Sequence, residues 1–207
     1  MVSHRVAGAP LSFVALRDEL EVPGDFARDV LDEAARVAAD HLPAMIDRTD
    51  LELVTIDPPG SRDLDQAVHI ARHDGGYLVS YAIADVASFV APGAAVDAEA
   101  HRRGQTLYFP DVRIPLHPAV LSEGVASLLP GQTRPAVLWQ IALDAHGEVT
   151  AVQVQRALVR SRAQFDYAAV QRAMDTATLP GALLLLEQVG MLRLARARDR
   201  HAVNLGL

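Results

Sequence analysis

Two polar turn segments set between strand-like runs constrain the fold more than any other feature. The turns are His-Asp-Gly-Gly at 73–76 and Asp-Ala-His-Gly at 144–147. The flanking runs are 67–72, in which polarity alternates, and the largely apolar 77–84, 137–143 and 149–159. Turns of this composition between such runs predict β-hairpins. An apolar, β-branched run at 51–56 predicts one further strand. The middle of the chain is therefore predicted to form a sheet built largely of hairpins.

Helical spacing of apolar residues brackets this sheet on both sides. It is visible in the first 48 residues, around 13–20 and again over 26–38, and near the other end over 167–174 and 183–198. We predict an α+β fold, a hairpin-rich mixed sheet flanked by helices. We place a short helical N-terminal segment at residues 1–48 and the sheet domain at 49–207.

The composition excludes several classes of protein. There is no cysteine, so disulfides and thiolate metal sites are absent. All 19 cationic residues are arginine, which reflects either a GC-rich gene or a preference for planar phosphate-binding side chains. The formal net charge of −7 disfavours a protein that simply coats nucleic acid. No secretory pattern or long apolar stretch occurs, so we expect a cytoplasmic protein with no membrane partner and no organic cofactor.

The strongest chemical signal is the segment TIDPPGSRDLDQA at 55–67. Asp57 ends a predicted strand, and the Pro-Pro-Gly break that follows turns the chain back. Asp63 and Asp65 are two residues apart, so their side chains should point to the same side. Carboxylates brought together in this way repel one another unless a cation lies between them, and oxygen ligands favour Mg²⁺ or Mn²⁺. Such a site suits in-line hydrolysis of a phosphodiester.

Spacing alone leaves other interpretations open. Aspartates near proline and glycine often do no more than cap turns in a solvated loop. A calcium loop of the EF-hand type is disfavoured, because its glycine and its final glutamate are not at the required positions.

The same segment closely resembles the signature of the ribonuclease II (RNB) family, roughly T-I-D, four or five residues, then D-x-D-D-A. The likeness continues through YAIADVASFV, HRRGQTLYFP and RIPLHPAVLSEGVASLLPGQTRPAV, and so covers about 50–167. It implies the N-terminal part of an RNB catalytic domain. It further implies a Mg²⁺-dependent enzyme, with Mn²⁺ as the alternative ion, that degrades single-stranded RNA from its 3′ end to nucleoside 5′-monophosphates.

Carried over position by position, the resemblance implies that Asp57, Asp63 and Asp65 are catalytic aspartates that bind the metal. Gln66 falls where the family has a fourth aspartate; its amide oxygen can still coordinate a metal but brings no charge. Tyr108 matches an aromatic residue that stacks on the RNA base, and the structural alternative is a core aromatic at a strand end.

Two further expectations follow from the resemblance. Asp85 recurs in the family, and we interpret it as a local backbone cap more than a ligand. The family also draws a catalytic arginine and other groups from a later part of the domain, so we expect the 207 residues in isolation to be inactive. The alternatives to a nuclease are a non-catalytic RNA-binding protein on a decayed RNB domain and a regulatory domain with no role in RNA.

Overall fold

The structure, a computed structural model, describes residues 12–40 and 44–202 and has the predicted α+β architecture. Its helices are α1 (Val14–Glu19), α2 (Arg28–Ala38), α3 (Ala95–Arg103), α4 (Tyr167–Asp175) and α5 (Leu184–Asp199). Its strands are β1 (Ile46–Asp47), β2 (Val54–Asp57), β3 (Gln66–His73), β4 (Gly76–Ala84), β5 (Leu107–Tyr108), β6 (Arg113–Ile114), β7 (Thr133–Leu143), β8 (Val149–Arg160) and β9 (Ala163–Asp166). Short 3₁₀ turns cover Val86–Ser88 and Gly181–Leu183, and a π-helical turn covers Leu121–Val125.

Seven strands form one mixed sheet in the order β1-β8-β7-β4-β3-β2-β9. Among the five inner strands, each pair of neighbours is antiparallel. The two short edge strands, β1 and β9, pair in parallel with β8 and β2. A separate two-stranded ribbon, β5-β6, lies outside this sheet within the Pro-rich region.

Both predicted hairpins are present. The β3–β4 turn places Asp74 (φ 45°) and Gly75 (φ 76°) in the left-handed region that such tight turns require. At the next position, Gly76 passes so close to β7 that a Cβ atom would lie 2.0 Å from the Leu143 carbonyl oxygen. In the β7–β8 turn, the Asp144 side chain accepts hydrogen bonds from two backbone N–H groups at 2.8 Å.

The two faces of the sheet are covered differently. One face carries mainly small residues of the inner strands and packs against three buried leucines, Leu53, Leu64 and Leu128. The opposite face is partly covered by α5, whose Val189 packs against Ile70 of β3. The leucine-covered face matters for function, because Leu64 lies between two of the predicted catalytic aspartates.

The N-terminal helices pack on the rest of the structure. Val30 and Ala34 of α2 are buried against Phe89 and Val96. The Arg103 guanidinium lies 3.8 Å from the centre of the Phe26 ring. In the part of the chain that the structure describes, no helix is long and apolar enough to cross a bilayer.

Candidate active site

A buried leucine positions the aspartates on either side of it. The Leu64 side chain is fully enclosed in the core. Its backbone N–H donates to Ser127 Oγ at 2.9 Å, and its carbonyl accepts from the Leu128 N–H at 2.8 Å. This clamp fixes the segment between β2 and β3, so Asp63 and Asp65 both line one cavity.

Asp57 is placed by the sheet itself, at the end of β2 and beside Asp166 of β9 in the parallel register. Its Oδ2 atom is buried and has no hydrogen-bond partner among the described residues. A buried carboxylate oxygen without a partner is costly. The position therefore calls for a proton or a cation.

The pKa values of the aspartates show that these side chains act on one another. Burial raises the pKa of Asp57, and the negative charges of Asp65 and Asp63 raise it further. Burial likewise raises the pKa of Asp65, with a contribution from the charge of Asp63. A divalent cation would reverse both effects, since it stabilises the ionised carboxylates. Carboxylate oxygens are the donor type that a hard divalent ion prefers.

Unlike Asp57 and Asp65, Asp63 is paired with an arginine. Its Oδ2 accepts a hydrogen bond of 2.6 Å from Arg113 Nη1, and Arg113 also forms an ion pair with Glu123. Among residues 12–40 and 44–202, no group of three or more acidic, histidine or cysteine side chains is arranged to hold one ion. The structure thus brings the three aspartates near enough to influence one another, while a shared coordination point remains a prediction.

Gln66 lies at the start of β3 with an exposed side chain. The Tyr81 hydroxyl donates a hydrogen bond to its Oε1 atom. Burial raises the pKa of Tyr81, and the charges of Asp65 and Asp57 raise it further, so this phenol lies within the field of the carboxylates. The metal-binding role of Gln66 also remains a prediction.

Tyr108 lies on the wall of the same cavity, which has a volume of about 280 Å³. The tyrosine is 73% exposed, so the alternative of a core aromatic is wrong. Its ring is free to stack on a planar ligand, which is the role that the resemblance implies.

Asp85 does not cap backbone N–H groups with its side chain, contrary to expectation. The carboxylate is buried, with Arg156 Nε at 2.6 Å and Ser88 Oγ at 2.9 Å as donors. The reason is that Arg156, two strands away on β8, reaches across to it. Both donors contact the Oδ2 atom, and the charge of Arg156 balances that of Asp85.

Three residues at this site were not identified from the sequence: Tyr81, Arg113 and His117. The position of Tyr81 followed in principle from the hairpin register, which places it diagonally opposite Gln66. His117 lines the cavity, and burial lowers the pKa of its imidazole. No sequence spacing links residue 113 or 117 to residue 63.

Sequence comparison relates this chain to a family of known proteins. The RNB domain model matches residues 45–202. Ribonuclease R of Acidithiobacillus ferrooxidans is 37% identical over 166 residues, which covers 75% of this chain and 37% of that protein. Ribonuclease R of Thermotoga maritima is 33% identical over 170 residues, covering 80% of this chain and 24% of that protein.

A solved structure of an RNase R also resembles this chain. Mycoplasma genitalium RNase R, in complex with ribose-methylated single-stranded RNA, matches with a TM-score of 0.87 and 26% identity. The match covers 93% of this chain and 32% of that one. The fold and the site thus define a nuclease-type domain, and the chain belongs to the RNB family. It spans about a quarter to a third of the length of these relatives.

Proposed function

We propose that this chain carries the metal-binding half of a 3′-to-5′ exoribonuclease site that hydrolyses single-stranded RNA to nucleoside 5′-monophosphates. The ion is Mg²⁺, with Mn²⁺ as the alternative. The observation that carries the proposal is that Asp63 and Asp65 line one cavity with the exposed Tyr108 ring, while burial and their charges raise the pKa of the nearby Asp57.

In this proposal the metal ligands are Asp57, Asp63 and Asp65, with Gln66 as a fourth ligand that brings no charge. The bound ions supply an activated water and stabilise the leaving oxygen. The protein's own contribution is positional. The clamp on Leu64 holds Asp63 and Asp65 at the cavity wall, and Tyr108 stacks on a base without regard to its identity.

The 3′-to-5′ direction is what the family resemblance implies, and the position of the aromatic side chain supports removal of terminal nucleotides. A base stacked on Tyr108 places the adjoining phosphate toward the carboxylates in the same cavity. A strand end enters a cavity of this volume more readily than the middle of a strand. The proposed reaction therefore removes single terminal nucleotides.

The test is an assay of the complete natural protein on single-stranded RNA labelled at its 5′ end, in Mg²⁺, in Mn²⁺ and in EDTA. We expect a regular ladder of 3′-shortened products with either ion and none in EDTA. Thin-layer chromatography of RNA labelled in its body should identify nucleoside 5′-monophosphates. Internal cleavage, or products that form equally in EDTA, would refute the proposal.

Gln66 favours one alternative, a non-catalytic RNA-binding protein on a decayed RNB domain. That protein would bind RNA in EDTA as well as in Mg²⁺ and would yield no products. A chain that binds neither RNA nor divalent ions would fit the remaining alternative, a domain with no role in RNA.

A further inference from the structure

Arg113 lies between the exposed aromatic ring and the carboxylates. It is paired directly with Tyr108 in the β5-β6 ribbon, so the two side chains project to the same face. Its Nη1 atom is 2.6 Å from Asp63 Oδ2. Among the described residues that line the cavity, Arg113 alone carries a permanent positive charge.

Two carboxylates from separate segments hold this guanidinium. Asp63 belongs to the segment between β2 and β3, and Glu123 belongs to the π-helical turn. The Arg113 side chain nevertheless remains 32% exposed, and it lines the cavity. A guanidinium has five N–H donors in a planar fork, so two carboxylates do not exhaust its capacity.

A cation bound by Asp63 would compete with Arg113 for the same carboxylate oxygen. The two positive charges would then repel each other across a few ångströms. An RNA phosphate in the cavity offers the arginine a replacement partner of the same charge and a geometry that suits the planar fork.

We propose that Arg113 is a substrate-binding residue that contacts a phosphate of the RNA whose base stacks on Tyr108. In the metal-free protein, Asp63 and Glu123 hold it, and a divalent cation at Asp63 releases it toward the RNA. This inference rests on the proposed function, because it requires RNA and a metal at this site.

The variant Arg113→Gln, made in the complete natural protein, tests both the phosphate contact and the competition between Arg113 and the cation. Without RNA, isothermal titration with Mg²⁺ should give an affinity at least about threefold higher, since a competing charge has been removed. RNA binding is measured in Mg²⁺ in an Asp65→Asn background, which prevents cleavage. There, the slope of log affinity against log salt should fall in magnitude by about 0.7, the loss of one single-strand phosphate contact.

The matched control is Arg28→Gln, which removes the same charge from a side chain that is 93% exposed on α2. Arg28→Gln should change neither the Mg²⁺ affinity nor the salt slope of RNA binding. If Arg113→Gln does not fold by circular dichroism, Arg113→Met fills similar space without charge and carries the same expectations. Arg113→Lys should preserve the salt slope.

The outcomes distinguish failure of the proposed function from failure of the proposed role of Arg113. A natural protein that binds neither Mg²⁺ nor RNA refutes the proposed function. A natural protein that binds both, with Mg²⁺ affinity and salt slope unchanged in Arg113→Gln, refutes the role of Arg113 alone.

Discussion

The Tyr81 hydroxyl donates a hydrogen bond to the Gln66 amide oxygen across the β3–β4 pair. Gln66 stands where the RNB signature has an aspartate, so a neutral hydrogen-bonded pair occupies a place where a charge is expected. The bond engages the amide oxygen, which is the atom that would coordinate a metal. Gln66 is therefore a weaker ligand than an aspartate would be, and the metal requirement should reflect this.

We predict that Gln66→Asp lowers the Mg²⁺ concentration needed for half-maximal activity by about two- to fivefold. The added carboxylate attracts the cation more strongly than an amide does. The measurement is RNA hydrolysis across a Mg²⁺ titration. Gln153→Asp, on an exposed position of β8, is the control and should leave the titration unchanged. If the natural protein is inert and only Gln66→Asp cleaves RNA, the decayed-domain alternative is right.

Asp65→Asn should reduce hydrolysis by roughly 10²–10³-fold and leave RNA affinity nearly unchanged. Loss of one ligand charge weakens stabilisation of the transition state, while stacking and phosphate contacts persist. Single-turnover rates and fluorescence anisotropy give the two quantities. Asp74→Asn is a matched control, because Asp74 lies in the exposed β3–β4 turn and asparagine tolerates its left-handed conformation. More than a tenth of normal activity in Asp65→Asn would contradict its assignment.

Tyr108→Ala should weaken binding of single-stranded RNA by about 1–3 kcal/mol, the usual cost of losing one stacked base. Tyr108→Phe keeps the ring and should bind almost normally. Because the side chain is 73% exposed, neither change should alter the thermal melting temperature much. Equal affinity of the alanine and phenylalanine variants for RNA would show that this ring does not stack on a base.

The hairpins and the order of elements could be predicted from the sequence because they depend on local signals. Turn residues between strand-like runs predict β3, β4, β7 and β8, and helical spacing predicts the flanking helices. The exact start of α2 at Arg28 could not be predicted, because the residue before it, Ala27, is extended and has no side chain that could cap the helix. The edge strands β1 and β9, of two and four residues, are too short to show a period.

At the site, sequence identified the aspartates and Tyr108 but not their partners. Arg113 contacts Asp63 across 50 positions in the chain. The contact depends on where the Pro-rich region crosses the end of the sheet, and no local pattern specifies that. The same holds for His117, which becomes half-buried only when this region closes over the cavity.

The stability of the metal-free protein should depend on pH. The folded-state pKa values of Asp57 and Asp65 lie above the ordinary value, so the metal-free folded protein retains protons that the unfolded chain has released. The contribution of these two groups to stability is therefore present at low pH and lost as pH rises through the raised pKa values. Hydrogen bonds from Arg102 and Arg17 hold the pKa values of Glu99 and Asp111 low, which acts in the opposite direction.

Comparison with Asp57→Asn isolates the effect of Asp57. In EDTA near neutral pH the variant should melt at a higher temperature than the natural protein, because it carries no buried charge beside Asp65. The difference should shrink as pH falls toward the ordinary carboxyl range, where Asp57 is protonated. Mg²⁺ should raise the melting temperature of the natural protein, since it stabilises the ionised form. It should stabilise the variant much less, whereas equal stabilisation of both proteins by Mg²⁺ would mean that Asp57 is not a ligand.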